Sequence, residues 1–139
     1  MRLKYSLLLV LFFTISCKSI KGLDYKESIQ SILTKHNWYE VCNNSKSRIY
    51  TYTSSKFTKT EYDNEDFTDF NYKKEYQILK YQENGLKLQR NNEVYNCSIV
   101  YDVKDLTYIQ MECNSQHKFI LLNGWSTKEL AAQNRAACY

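Results

Sequence analysis

From Trp38 onward the chain alternates between apolar and polar positions. Leu86-Lys87-Leu88-Gln89 is the cleanest instance, with the period of two that marks a strand burying one face. Runs rich in Tyr, Ile, Val, Thr and Phe recur along the chain. They predict strands at Trp38–Cys42, Arg48–Thr53, Lys56–Tyr62, Tyr72–Tyr81, Leu86–Arg90, Glu93–Tyr101, Leu106–Cys113 and His117–Leu122. Asn43-Asn44-Ser45, Ser54-Ser55, Glu83-Asn84-Gly85 and Asn91-Asn92 supply turns between them. Strands this closely spaced form an antiparallel meander.

Two stretches have helical period. Asp24 with Glu27 three residues on reads as a start signal, and Tyr25, Ile29, Ile32, Leu33 and His36 share one face. A helix is predicted from 25 to about 35. Ser126 and Glu129 form a capping box, and Leu130, Asn134, Ala137 and Cys138 line a face of a second helix, from 127 to about 137. Phe119-Ile120-Leu121-Leu122 is apolar on both faces, so the second helix is expected to cover it. The expected fold class is mainly β: an eight-stranded antiparallel meander over residues 24–139, closed into a small barrel, with a short N-terminal and a C-terminal helix. Closure removes the exposed edges that make open sheets adhesive. No internal repeat and no inter-domain linker is visible.

The first residues obey a different rule. Arg2 and Lys4 precede the apolar stretch from Leu7 to Ile15, the layout of a secretory signal. Thr14-Ile15-Ser16-Cys17 resembles the lipobox of bacterial lipoproteins, with Thr14 where that family prefers Leu. The resemblance implies a signal peptide over 1–16, cleavage before Cys17, lipid chains on Cys17 and a lipidated tether over 17–23. Each buried CH₂ of such a chain contributes about 0.8 kcal/mol, and two or more chains anchor a protein stably. Lys18 occupies the place of the family's inner-membrane retention Asp. The implied location is the cell envelope, at the outer membrane facing the periplasm.

Composition narrows the field. Nineteen Lys and Arg against 15 Asp and Glu leave a net charge of +4, too mild to indicate nucleic acid. A hydrophobic fraction of 43% excludes a wholly disordered chain, and the absence of Pro excludes Pro-rich and collagen-like architectures. No apolar run has the length of a spanning helix.

There are five cysteines. Lipid on Cys17 leaves Cys42, Cys97, Cys113 and Cys138, an even set suited to disulfides in an oxidising compartment. No CxxC or HxxxH pair suggests zinc. A hairpin turning over Lys104 to Leu106 sets Tyr101 against Ile109 and Cys97 against Cys113. Opposed Cα atoms in such a ladder lie about 4.5–5.5 Å apart, within disulfide reach. Cys97–Cys113 is therefore the expected pair, leaving Cys42–Cys138.

Helix, Trp-bearing first strand, meander and final helix together resemble the lipocalin-like lipoproteins of Gram-negative bacteria. Trp38 falls on the Trp of the Gly-x-Trp that lipocalins carry, with His36 in place of the Gly. The Phe57 strand, Tyr76-Gln77-Ile78 and Tyr95 to Ile99 resemble that group's Tyr/Phe strand pattern. The resemblance spans roughly residues 30–122 and is mainly architectural. It implies a barrel mouth that holds a small apolar ligand or envelope component.

Chemistry-bearing motifs are sparse. His36 and His117 sit in no metal or triad pattern. Asp63, Glu65, Asp66 and Asp69 cluster, but the Gly and Glu that a calcium loop needs are replaced by Thr68 and Lys74. Two glycosylation sequons begin at Asn43 and Asn96, relevant only in a eukaryotic host, against which the lipobox argues. No Ser-His-Asp set, phosphate loop or paired-carboxylate site stands out, so no enzyme, cofactor or metal is expected. The 13 Tyr are the unusual feature. Sheet packing accounts for most of them, and a contact surface is the sharper reading. The candidate contact residues are Trp38, Tyr50, Tyr52, Phe67, Phe70, Tyr72 and Tyr95. The partner is the membrane through Cys17, plus either a small apolar ligand or, alternatively, a protein: an inhibitor or immunity lipoprotein blocking a toxin or hydrolase.

Overall fold

The computed structural model describes residues 27–138. Cys17, the signal segment and the Asp24–Tyr25 start of the expected first helix lie outside them. Helix α1 is Ile29–Thr34, capped by Ser28, whose hydroxyl accepts the Ser31 N–H at 3.2 Å. Ile29, Ile32 and Leu33 fall three and four residues apart and are all buried.

The strands are β1 Trp38–Val41, β2 Ser47–Tyr52, β3 Lys56–Tyr62, β4 Phe70–Gln82, β5 Gly85–Arg90, β6 Glu93–Tyr101, β7 Tyr108–Asn114 and β8 Phe119–Trp125. Each pairs antiparallel with the next, and β1 meets β8 where Tyr39 opposes Trp125, so the meander closes into an eight-stranded barrel. The β6–β7 ladder has the expected register, with Tyr101 opposite Ile109 and Cys97 opposite Cys113. Both expected cysteine pairs lie at disulfide distance, with Cα separations of 4.0 Å for Cys97–Cys113 and 5.4 Å for Cys42–Cys138. Asn91 and Asn92 turn β5 into β6 with φ of 51° and 65°, the left-handed pair of a tight type I′ hairpin. Gly85 is required by close approach: a Cβ there would sit 1.9 Å from the Cys97 carbonyl oxygen.

Several boundaries differ from the sequence pattern. β4 begins at Phe70, because a register shift at Glu61/Tyr62 lets Tyr62 pair with Phe70 beyond the regular ladder. β8 begins at Phe119 and runs on to Trp125. The Ser115 hydroxyl accepts the N–H groups of His117 and Lys118 at 3.3 and 3.0 Å, which holds that pair in a turn.

The C-terminal helix, α2, covers only Lys128–Gln133, and its cap is Thr127 rather than Ser126. After Asn134 the chain extends, and Ala136 exchanges backbone hydrogen bonds with β1: the Asn43 N–H reaches its carbonyl at 2.9 Å and its own N–H reaches Val41 O at 3.4 Å. Those bonds and the Cys42–Cys138 pair draw the tail along β1, where helix would carry it away. α2 packs on β1 and β8, but it leaves Phe119 57% exposed, so the expected cover over 119–122 is incomplete.

The meander puts alternate turns at opposite ends. α1 shuts the end that holds the β2–β3 and β4–β5 turns. The Trp38 indole N–H donates to the Leu33 carbonyl at 3.1 Å and fastens the helix to β1. Above this plug, Tyr52 stacks on Phe57 at 4.8 Å and Tyr76 packs at a tilt on Phe57 at 5.5 Å between centroids, and the three fill the barrel's middle with Leu88, Met111 and Leu122. Among the described residues this core runs from Ile29 to Leu122, and the eight strands that enclose it close on themselves. The other end, bearing the β3–β4, β5–β6 and β7–β8 turns, is the mouth.

Candidate functional site

Alternation places charged residues as well as aromatics on the inner face. Trp38 and Glu40 are in phase on β1, Arg48 with Tyr50 and Tyr52 on β2, and Phe57 with Lys59 and Glu61 on β3. The registers Glu40 to Arg48, Arg48 to Glu61 and Glu61 to Tyr72 then bring these side chains into one row. Arg48 bridges both carboxylates, its Nε donating to Glu61 at 2.9 Å and its Nη1 to Glu40 at 3.3 Å. The Tyr50 hydroxyl donates to Glu40 at 2.6 Å, the Tyr72 hydroxyl to Glu61 at 2.9 Å, and Lys46 stands 3.4 Å from Glu61. Burial works to raise the Glu61 pKa, but the bonds from Arg48 and Tyr72 outweigh it, and the carboxyl lies below its ordinary range. Burial, then the bond to Glu61, pushes the Tyr72 phenol up to about 12.

Lys59 stands beside this row and outside its pairing. It is 8% exposed. Its Nζ lies 5.9 Å from the centre of the Tyr72 ring, and among the described residues no carboxylate is within ion-pair distance of it. Burial, followed by the charge of Arg48, lowers its pKa to about 8, with Lys74 adding and the two carboxylates opposing.

Lys59 borders a cavity of about 720 Å³ in the mouth. Phe57, Tyr76 and Tyr95 form one wall, and Ile120 and Leu122 of β8 form the facing wall. The polar part is cationic: Lys59, Lys74, Arg90 and Lys118, with no carboxylate in the lining. Arg90 lies 5.7 Å from the Tyr76 ring centre and Lys74 5.1 Å from that of Tyr72, both face contacts that orient a cation while leaving it unneutralised. Lys118 is matched by Glu93 at 3.6 Å.

The residues singled out from sequence separate into distinct places. Tyr95 lines the cavity, its hydroxyl donating to Glu93 at 2.9 Å, and Tyr72 stands behind Lys59. Trp38, Tyr50 and Tyr52 are interior packing, with the Tyr52 hydroxyl on Met111 Sδ at 3.6 Å. Phe67 is drawn onto the outer wall against Tyr39 and Tyr62, at 5.7 and 6.0 Å, beneath Lys128. Phe70 is 60% exposed beside Tyr62. The structure thus brings Tyr72 and Tyr95 toward the mouth cavity and leaves the other five away from it. Phe57, Lys59, Tyr76 and Arg90 were not singled out, although the in-phase spacing of Phe57 and Lys59 was visible.

The acidic loop is occupied by protein partners: Glu65 pairs with Arg135, Asp63 lies 3.6 Å from Lys46, and the Asn64 carboxamide accepts the N–H groups of Thr68 and Asp69 at 3.1 Å. Glu40 lies close to Cys42 and Cys138, but those sulfurs are bonded to each other, so the group has no thiolate to offer a metal. No family model matches the chain, and no curated protein or solved structure is similar to it beyond chance.

Proposed function

We propose that the protein is a membrane-anchored binding lipoprotein, fixed through Cys17 to the outer membrane and facing the periplasm, that holds a small apolar ligand or envelope component in the barrel mouth. One observation carries this reading: a cavity of about 720 Å³ with an aromatic wall, open at one end of a barrel whose other end is plugged. Its volume falls within the range of about 300–1,000 Å³ typical of small-molecule sites. The lipocalin-like order of elements points the same way. A protein-blocking role calls for a filled core and an exposed aromatic patch or projecting loop. Phe70 and Phe119 are exposed, but the mouth is an open cavity and not a filled core, which favours the small ligand.

The neutral dye N-phenyl-1-naphthylamine tests the cavity. It is expected to brighten on binding to residues 18–139, and Ile120→Trp, which fills one wall, is expected to weaken that binding about tenfold. Equal binding by the variant would place the dye elsewhere and remove the support. For the anchor, Cys17→Ser is expected to move the protein from the membrane to the soluble fraction of the envelope. Retention on the membrane would contradict lipid attachment.

A further inference from the structure

An apolar ligand has no need of the cations around this cavity. The carboxylates beside Lys59 are already taken: Arg48 spans Glu40 and Glu61, Lys46 adds a second cation to Glu61, and Lys118 is matched by Glu93. Lys59, Lys74 and Arg90 remain on the cavity wall with rings beside them and no carboxylate within ion-pair distance among the described residues. Lys59 is the telling one. Its stem is packed in the barrel wall and its ammonium opens on the cavity, where no carboxylate is within ion-pair distance, and holding a charge partly out of water in this way is costly.

We propose that the cavity is built for an amphipathic anion, whose acidic head group docks on Lys59 between Lys74 and Arg90 while its apolar body lies against Phe57, Tyr76, Tyr95 and Leu122. This rests on the cavity being a ligand site and specifies the chemistry of the ligand. The head group is a carboxylate, sulfonate or phosphate, whose oxygens accept hydrogen bonds from the ammonium. Charge-assisted bonds to an ammonium are about twice as strong as neutral ones, and the aromatic wall keeps water from weakening them. Lys59 selects for the charge, and the rings select for a flat or chain-like apolar body.

Two dyes that differ only by one sulfonate make the test. 8-Anilinonaphthalene-1-sulfonate is N-phenyl-1-naphthylamine with an added anionic group. On residues 18–139 at pH 7 the sulfonate is expected to bind at least about tenfold more tightly than the neutral dye. Lys59→Met is expected to remove most of that preference, weakening the sulfonate about tenfold and the neutral dye less than about twofold. Arg90→Gln, at a half-buried position where folding is not at stake, is expected to weaken the sulfonate about threefold. Dodecanoate is expected to displace the sulfonate and dodecanol to do so poorly, while inorganic phosphate alone leaves it bound. Equal affinity for the two dyes, or an unchanged sulfonate affinity in both variants, would overturn the anion site and leave the apolar cavity standing. Displacement by inorganic phosphate alone would replace the amphiphile with a free anion. Failure of both dyes to bind would remove the cavity reading and this proposal together.

Discussion

Arg48→Met is expected to destabilise the fold by about 3–5 kcal/mol, because removing one partner strands the buried charges of the others. Arg48 is the cation that holds Glu40 and Glu61, and the two carboxylates are 3% exposed each. With the guanidinium gone, Tyr50, Tyr72, Asn71, the Asn123 N–H and Lys46 still offer hydrogen bonds, but the two anions keep only the partly exposed Lys46 within ion-pair distance, with Lys59 beside the row and beyond that distance. The triple change Arg48→Met, Glu40→Gln, Glu61→Gln is expected to recover much of the loss, since it removes charge and partner together. Urea denaturation at pH 7 measures both. A loss below about 1 kcal/mol for Arg48→Met would mean that the row behaves like a solvated surface pair.

Lys59→Met has the opposite sign. It is expected to stabilise the protein by about 2 kcal/mol at pH 7, because a lysine held near pKa 8 when folded and near 10.5 when unfolded destabilises the folded state. Between those values the unfolded chain binds more protons than the folded one, so wild-type stability rises with pH through that window. Below about pH 8 the cost of the buried charge is complete, and the advantage of Lys59→Met is largest there. The advantage is expected to fade as pH climbs toward 10.5. Melting curves of the two proteins between pH 6 and 10 test this, and a constant difference, or a variant less stable at pH 7, would contradict it. A substitution that stabilises the barrel while weakening the sulfonate dye would mark Lys59 as a position held for binding at the expense of stability.

Much of the barrel was legible because its information is local. Alternation located the strands, and the apolar phase of Cys97 and Cys113 set the β6–β7 register, since a slip of one residue would have put the two cysteines on opposite faces. The end of α2 was not legible. Leu130, Asn134, Ala137 and Cys138 hold helical phase through to 138, and nothing in those residues forbids a longer helix. What stops it is the bond between Ala136 and β1, which depends on residues about a hundred positions earlier.

The site was half legible for the same reason. Arg48 and Lys59 stand in phase with inward aromatics, so their burial was implied by spacing alone. Which carboxylates Arg48 meets, and that Lys59 meets none, depends on the registers of β1 with β2 and β2 with β3. Tyr residues attracted attention for their number, yet number does not separate Tyr50 and Tyr52 in the core from Tyr76 and Tyr95 on the cavity wall. That distinction follows from where α1 plugs the barrel and where the mouth stays open.

Native mass spectrometry of residues 18–139, after exposure to an extract of the cell envelope, tests the binding role most directly. The account predicts one small-molecule adduct per chain, lost on activation as an acidic amphiphile and absent from Ile120→Trp. A chain that emerges free of small molecules but in stoichiometric complex with a protein would contradict it, and would identify the barrel as a protein-blocking module.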